Sequence, residues 1–328
     1  MRYLVLGGAG VFAVHTIKEI LKLDDTEKVV AIGRSRQQTE VFNLGIGYKD
    51  KRYSYKQIHM SFEIDFLTDL IDQFKPNYII NFAALAYATS WSKSSRYYDT
   101  NITALSKLCE HLYHNKCLKQ FLQIGSSEIY GSTNSPAKET DNPNPTSPYS
   151  ISKLAADYHI LSLYNHLKFP GNIIRPSNCY GSGQYTYRLI PKAILYGLAK
   201  KKFPLEGGGS VKKSFMHSSD LAQAIIKILQ SDKFGRIYNA GVKDTYSIKE
   251  ITKTICKVLD IDFEEFYTIA PGRKTEDRQY WVDNSYIKKE LNWEPRISLE
   301  EGIVETSEWV KKYYKELILE PDLFELRA

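Results

Sequence analysis

The start of the chain constrains the architecture more than any other stretch. Residues 3–6 form a short apolar strand that runs directly into Gly7, Gly8, Ala9, Gly10, Val11, Phe12 and Ala13, and residues 15–23 carry apolar side chains at helical intervals. Strand, glycine turn and helix in that order make a pyrophosphate site, because a backbone without Cβ atoms can approach the phosphates. The helix N-terminus then faces their negative charge. A mere tight turn does not need glycine at three of four consecutive positions. Gly7, Gly10, Val11 and Phe12 are therefore expected to lie against a dinucleotide.

The alternation continues. Residues 29–32 read as a second strand, followed by Gly33, Arg34, Ser35 and Arg36. An acid at this point would hold the ribose hydroxyls of NAD, whereas arginine accommodates a 2′-phosphate. No acid is present, so Arg34 and Ser35 favour NADP. NAD stays open, since a loop arginine is common for ordinary reasons. Residues 37–61 are polar and read as a long irregular loop, used for subunit contact or cofactor covering. Asp65 and Phe66 begin a third turn, expected to flank the adenine, with its helix over 67–74. Residues 78–81 are another strand, continued by Ala83 and Ala84 into a small-residue turn. The stretch 85–96 reads as a loop, and 97–113 is the following helix, with Asn101 in it. Asn81, Ala83 and Ala84 resemble the Asn-x-Ala-Ala element of the short-chain dehydrogenase/reductases, a resemblance that would place this loop beside the nicotinamide and sugar.

Strands over 121–124 and 172–175 complete an α/β pattern, which predicts a doubly wound parallel sheet with a smaller C-terminal substrate lobe. The expected division gives residues 1–175 plus 215–244 to a dinucleotide-binding Rossmann domain. Residues 176–214 plus 245–328, richer in turns and basic side chains, go to a substrate-binding lobe.

The chemistry is expected where the strand 121–124 ends, at Ser126, Ser127 and Glu128, together with Tyr149 and Lys153. Tyr149 and Lys153 are four apart in a helical segment, 148–167, so both project from one face. Ser147 is a plausible N-cap and Pro148 suits the first turn. An ammonium beside a phenol is expected to lower the phenol's pKa from about 10 and make it a base near neutral pH. With 24 tyrosines in the chain the spacing alone is weak. Its position after a buried-looking strand with small hydroxyl residues, where an open parallel sheet places its ligand, gives it weight.

Composition narrows the classes. In 328 residues, 43% hydrophobic content supports a real core, and the net charge of +6 is spread as 44 basic residues among 38 acids. That suits a small anionic ligand better than nucleic acid. No apolar run approaches the roughly 18 residues of a membrane span. Cys109, Cys117, Cys179 and Cys256 show no paired or metal-ligand spacing, and reduced thiols in a cytoplasmic protein without a metal are expected.

The spacing of Gly7, Gly10 and Ala13, the element Asn81, Ala83 and Ala84, and the pair Tyr149 and Lys153 resemble the extended short-chain dehydrogenase/reductases acting on nucleotide sugars. Ser126, a variable residue, Glu128 and then Tyr130 and Gly131 are similar to the sugar-nucleotide 4,6-dehydratases. The GDP-mannose type and related GDP-sugar enzymes, such as those acting on GDP-N-acetylglucosamine, are the most similar. Epimerases of this fold generally carry a small or hydroxyl residue where Glu128 stands.

The resemblance implies oxidation at C4 of a GDP-hexose, loss of water across C5 and C6, and hydride return to C6. Tyr149 would take the 4-hydroxyl proton, Ser126 would bond the same oxygen, and Lys153 would lower the tyrosine pKa and hold the cofactor ribose. Glu128 would take the C5 proton. Relatives acting on dTDP-glucose usually place Asp where Ser127 stands, so either Glu128 acts as both base and acid or Ser127 relays the proton. The cofactor would be tightly bound and recycled, and Asn101 would hold a water or backbone group near the lysine. Asn178, Arg188, Arg278 and Lys213 would grip the diphosphate, although Lys212 and Lys213 could equally be a solvated pair. A homodimer through the helices 97–113 and 148–167, or a homotetramer through the loop after the second strand, is implied. A nucleotide-sugar 4-epimerase or keto-sugar reductase is the alternative activity.

Overall fold

The structure, a computed structural model, describes residues 1–46, 50–86, 94–272 and 279–323. Six strands, β1 (Arg2–Leu6), β2 (Lys28–Gly33), β3 (Tyr53–Gln57), β4 (Tyr78–Asn81), β5 (Gln120–Ile124) and β6 (Gly171–Pro176), join Ile237–Ala240 in one sheet. Its order is Ile237–Ala240, β6, β5, β4, β1, β2, β3, and every neighbouring pair is parallel. The chain reverses its direction of travel between β1 and β4, which opens a crevice at the carboxyl ends of those strands.

Parallel strands covered on both faces must be apolar throughout rather than alternating. All five residues of β5 are buried, as are four of the five in β1. On one face Val14, Ile17, Leu221 and Ile225 bring the helices Val11–Ile20 and Ser218–Leu229 onto the sheet. On the other, Leu67, Leu105 and Ile160 seat Ile64–Phe74, Ala104–Leu112 and Pro148–Leu167. A separate core, with Ile194, Leu205, Ile255 and Ile303, gathers the helices Leu189–Leu198, Ile248–Leu259 and Leu299–Lys312.

Two elements differ from the sequence expectation. The stretch 37–61 is not one long loop: it holds the short helix Glu40–Asn43 and the edge strand β3. An edge strand buries little, so the Tyr53–Gln57 segment can be polar and still pair with β2. The helix expected over 97–113 is interrupted. Ser95–Tyr98 passes into a π turn, Asp99–Thr103, before Ala104–Leu112.

The four cysteines are free thiols, and among the described residues no helix is long and apolar enough to cross a membrane.

Candidate active site

The glycine turn is built as its sequence requires. Gly7 has φ +74°, and a Cβ on it would meet the backbone nitrogen of Ala83 at 2.7 Å, so the turns after β1 and β4 approach as only glycine allows. A Cβ on Gly8 would lie 2.5 Å from that of Ala31. Gly10 caps the helix Val11–Ile20 without a side-chain hydrogen bond, so the first-turn N–H groups of Val11 and Phe12 remain for an anion. These features fit a dinucleotide pyrophosphate. Arg34 and Ser35 follow β2 and are exposed, their carbonyls held by Gln57 Nε2 at 3.0 Å and Tyr55 Oη at 2.7 Å.

Asn81 orders the next turn by donating to Gln123 Oε1 at 2.8 Å and accepting from the Ala83 N–H at 3.1 Å. Asn101 lies in the π turn, a distortion that often marks functional sites. Its Oδ1 accepts from Leu85 N at 2.9 Å, and its Nδ2 donates to Ser152 Oγ at 2.8 Å, beside Lys153.

The strand β5 delivers Ser126, which caps the short 3₁₀ turn Ser127–Tyr130 by accepting from Glu128 N at 3.2 Å. Ser147 caps the helix Pro148–Leu167 through a capping box with Ser150, which fixes where that helix begins. Tyr149 then lies one turn before Lys153. Its hydroxyl is hydrogen-bonded to Ser126, and its ring meets the edge of the Tyr97 ring at 6.4 Å. The five residues Ser126, Ser127, Glu128, Tyr149 and Lys153 are therefore assembled in one place.

The electrostatics correct one expectation. Burial, and next the Glu128 charge, push the Tyr149 phenol up rather than down, with Ser126 and Arg188 opposing. The ammonium does not offset this, because Lys153 Nζ donates to the Ile124 carbonyl. Burial lowers the lysine's own pKa to about 8, with Asp157 opposing.

Arg188, at the N-cap of Leu189–Leu198, stacks its guanidinium over Tyr187 at 5.5 Å and acts electrostatically on Tyr149. Asn178 and Lys213 sit on the short strands Asn178–Tyr180 and Lys212–Lys213, the latter paired to Tyr246–Ser247 and Gln279–Tyr280. Arg278, and residues 87–93 of the loop expected beside the nicotinamide, lie outside the described residues.

Asp65 and Phe66 occupy the first turn of Ile64–Phe74, where Phe66 is 67% exposed in a surface groove with Lys56, Ile58 and Leu70. The residue after β3 that reaches the Arg34 side is His59, whose pKa is lowered by burial and then by Arg34, while Ser61 Oγ donates to Thr100 Oγ1 at 3.2 Å. Sequence reading also missed a buried group behind the site, Asp157, Arg175, Tyr130 and Asn239. The helical spacing of Tyr149, Lys153 and Asp157 was the one available signal.

A parallel sheet with this switch point, a glycine turn and a Ser, Tyr and Lys constellation define a Rossmann-type short-chain dehydrogenase/reductase. The family described as GDP-mannose 4,6 dehydratase matches residues 4–306, and this chain belongs to it. It is 26% identical over 320 residues to the human dTDP-D-glucose 4,6-dehydratase, covering 95% of this chain and 91% of that one.

A trifunctional UDP-glucose 4,6-dehydratase, 3,5-epimerase and reductase of Arabidopsis thaliana is also 26% identical, over 311 residues and 93% of this chain. The chain spans 46% of that relative's length. Among solved structures, a dTDP-glucose 4,6-dehydratase of Bacillus anthracis in complex with NAD matches with a TM-score of 0.86 and 27% identity, over 96% of this chain and 98% of that one. A UDP-glucuronic acid 4-epimerase of Bacillus cereus shares the fold, with a TM-score of 0.87 at 24% identity over 96% of this chain and 100% of that one.

Proposed function

We propose that this chain is a nucleotide-sugar 4,6-dehydratase that converts a nucleoside diphosphate hexose to its 4-keto-6-deoxy product. The observation that carries the reading is Glu128, a carboxylate close enough to Tyr149 to perturb its phenol, on the turn capped by Ser126. An epimerase has no step that needs this carboxylate.

Gly7, Gly10, Val11, Phe12, Ala83 and Ala84 would hold a nicotinamide dinucleotide, which when bound would supply hydride acceptance from C4 and its return at C6. Tyr149 removes the 4-hydroxyl proton, with Ser126 on the same oxygen and Lys153 supporting the phenolate and the cofactor ribose. The resulting 4-keto group acidifies C5–H. Glu128 would take that proton, and the C6 hydroxyl would leave as water with the proton from Glu128 or one relayed by Ser127. Glu128, reprotonated from solvent, would return a proton to C5 to complete the 6-deoxy product. Burial and Glu128 hold the Tyr149 phenol high in the resting arrangement, so the proposed first step needs a positive charge beside the phenolate, the role this reading gives to Lys153.

The proposed cofactor is NADP, on the exposed Arg34 and Arg36 and the missing acid after β2. The proposed sugar carrier is GDP, gripped by Asn178, Arg188, Lys213 and Arg278. The dTDP- and UDP-glucose relatives put those nucleotides in the same assay. The dinucleotide half is proposed to comprise residues 1–175 plus 215–244, and the sugar half the remainder. Exposed Tyr113, Ile151, Tyr158 and Leu167 on the two site-bearing helices favour a dimer through them.

The test is mass spectrometry of products from GDP-, UDP-, CDP- and dTDP-hexoses. Loss of one water supports the reading, and an isomer of unchanged mass replaces it with a 4-epimerase.

A further inference from the structure

Behind the site is a buried chain of polar side chains that the proposed chemistry does not use. Asp157 follows Lys153 by one helical turn and is completely buried. Its Oδ2 accepts from Arg175 Nε at 2.8 Å, and Arg175, on β6, is 1% exposed. Arg175 Nη1 donates to the Tyr130 hydroxyl at 2.7 Å, and that hydroxyl donates to Asn239 Oδ1 at 3.0 Å. The Asn239 N–H in turn donates to Glu139 Oε1 at 2.7 Å. Tyr130 ends the turn that carries Ser126, Ser127 and Glu128. Three elements that hold the site are thus cross-braced: the Tyr149 and Lys153 helix, β6, and the Glu128 turn. There is no slack at the crossing, because a Cβ on Gly125 would lie 3.0 Å from both Arg175 Cγ and Asp157 Oδ1.

We propose that Asp157 and Arg175 are positioning residues for the reaction: Asp157 supplies the counter-charge for Lys153, and Arg175, through Tyr130, sets the Glu128 turn against Tyr149. The proposal rests on the dehydratase reading for its second half only. A fully buried ammonium is costly unless a negative group faces it. The groups facing this one are few. Asp157 is the charge that acts on it. Asp157 in turn faces Arg175 from β6 and acts on Tyr149 along the same helix, while Glu139 acts on Tyr130 and Arg175 from the segment beyond the turn. Asp157 is the carboxylate that opposes the effect of burial on Lys153. Arg175 in turn opposes the burial that raises the Asp157 pKa. A bare hydrophobic contact could fill the same space, but it could not join the ionisation of the lysine to the seating of the turn.

The two halves separate in two variants. In Asp157→Asn the counter-charge is gone and the shape is kept, so Lys153 should lose its proton at lower pH. The alkaline limb of dinucleotide binding, followed by nicotinamide fluorescence against pH, should move down by about one unit, the size of effect a neighbouring opposite charge exerts. Asp157→Glu should restore it. Tyr130→Phe leaves every charge in place and cuts the link to the turn. Its alkaline limb should stay where it is while kcat falls roughly 10-fold to 100-fold at unchanged KM.

An unmoved binding limb in folded Asp157→Asn overturns the charge role, and a wild-type kcat in Tyr130→Phe overturns the positioning role. If Asp157→Asn does not fold, the limb is read instead in Asp157→Ser, which also removes the charge, and an unmoved limb there counts against the proposal. Because the binding limb needs no turnover, a chain that fails to release water from any sugar yet shows the shift disproves the dehydratase reading and keeps the Lys153 and Asp157 relationship.

Discussion

Asn101 donates to the Ser152 hydroxyl at 2.8 Å, and this bond ties the π turn to the helix residue immediately before Lys153. The same side chain accepts from the Leu85 N–H and donates to the Leu85 carbonyl at 3.3 Å, so one asparagine sets both the loop after β4 and the lysine's turn.

Asn101→Ala therefore strands buried backbone groups of Leu85 with no substitute partner. A buried polar group left unpaired costs about 1–3 kcal/mol, and the loss in Asn101→Ala should be about 3 kcal/mol. Ser152→Ala removes a single hydroxyl and should cost about 1 kcal/mol. Urea midpoints at unchanged slope measure both. Equal stability of the two variants would show that the Leu85 bonds carry no weight.

The parts of this arrangement that were legible in the sequence are those with a local cause. Gly7 to Phe12 follow from the steric needs of one turn, the helix start at Pro148 from the Ser147 cap, and the buried strands from unbroken apolar runs. β3 was not legible, because an edge strand makes few demands on its side chains and Tyr53–Gln57 is half polar. The π turn around Asn101 leaves no mark in apolar periodicity. The direction of the Tyr149 shift was misjudged because residue spacing shows neither how deeply the phenol is buried nor that Glu128 lies beside it, and it does not reveal the carbonyl that claims the ammonium. Arg175 and Asn239 were invisible for a related reason: their partners lie 18 to 109 residues away in sequence.

The exposed Arg34 leads to the cofactor prediction. A charge-assisted contact to a 2′-phosphate is worth about 1.5–3 kcal/mol, so Arg34→Asp should move the NADP-to-NAD preference by roughly 10-fold to 100-fold toward NAD. Dissociation constants for both dinucleotides, with identification of any that copurifies, measure this. Wild-type protein that carries only NAD(H) removes the NADP proposal.

Acid sensitivity should begin at His15. Its Nε2 pairs with the Ser182 carbonyl at 2.9 Å and its Nδ1 with Ser219 Oγ at 3.2 Å, and burial, the largest influence, lowers its pKa to about 4. The unfolded chain, with an ordinary histidine near 6.5, binds this proton first. Stability is therefore present above about pH 6.5 and is lost as pH falls toward 4, by about 3 kcal/mol for the one group. Glu305, against His217 at 2.5 Å and Ser182 at 2.7 Å, is lowered to about 2 despite its partial burial. It extends the loss below the usual carboxylate range. Urea unfolding across this range should show the slope, and His15→Gln should flatten it between about pH 6.5 and 4 while leaving the lower part. A slope unchanged by that substitution would assign the acid transition to other groups.

The decisive prediction separates Tyr149 from Glu128. If Tyr149 begins the oxidation and Glu128 performs the elimination, the two substitutions fail at different steps. Tyr149→Phe should bind substrate and leave the nicotinamide oxidised, because nothing accepts the 4-hydroxyl proton. Glu128→Gln should still pass hydride, so reduced nicotinamide absorbance should rise on mixing while 6-deoxy product does not form. Removing a general base costs roughly 100-fold to 10,000-fold in rate, enough to resolve the two steps.

Solvent deuterium gives an independent reading. The C5 proton leaves to Glu128 and a solvent-exchanged one returns, so wild-type product formed in heavy water should carry deuterium at C5. The hydrogen carried from C4 to C6 should not exchange. Normal turnover in Glu128→Gln, or a C5 that retains its original hydrogen, would take elimination away from Glu128 and leave the epimerase or reductase chemistry of the same Tyr149 and Lys153 pair.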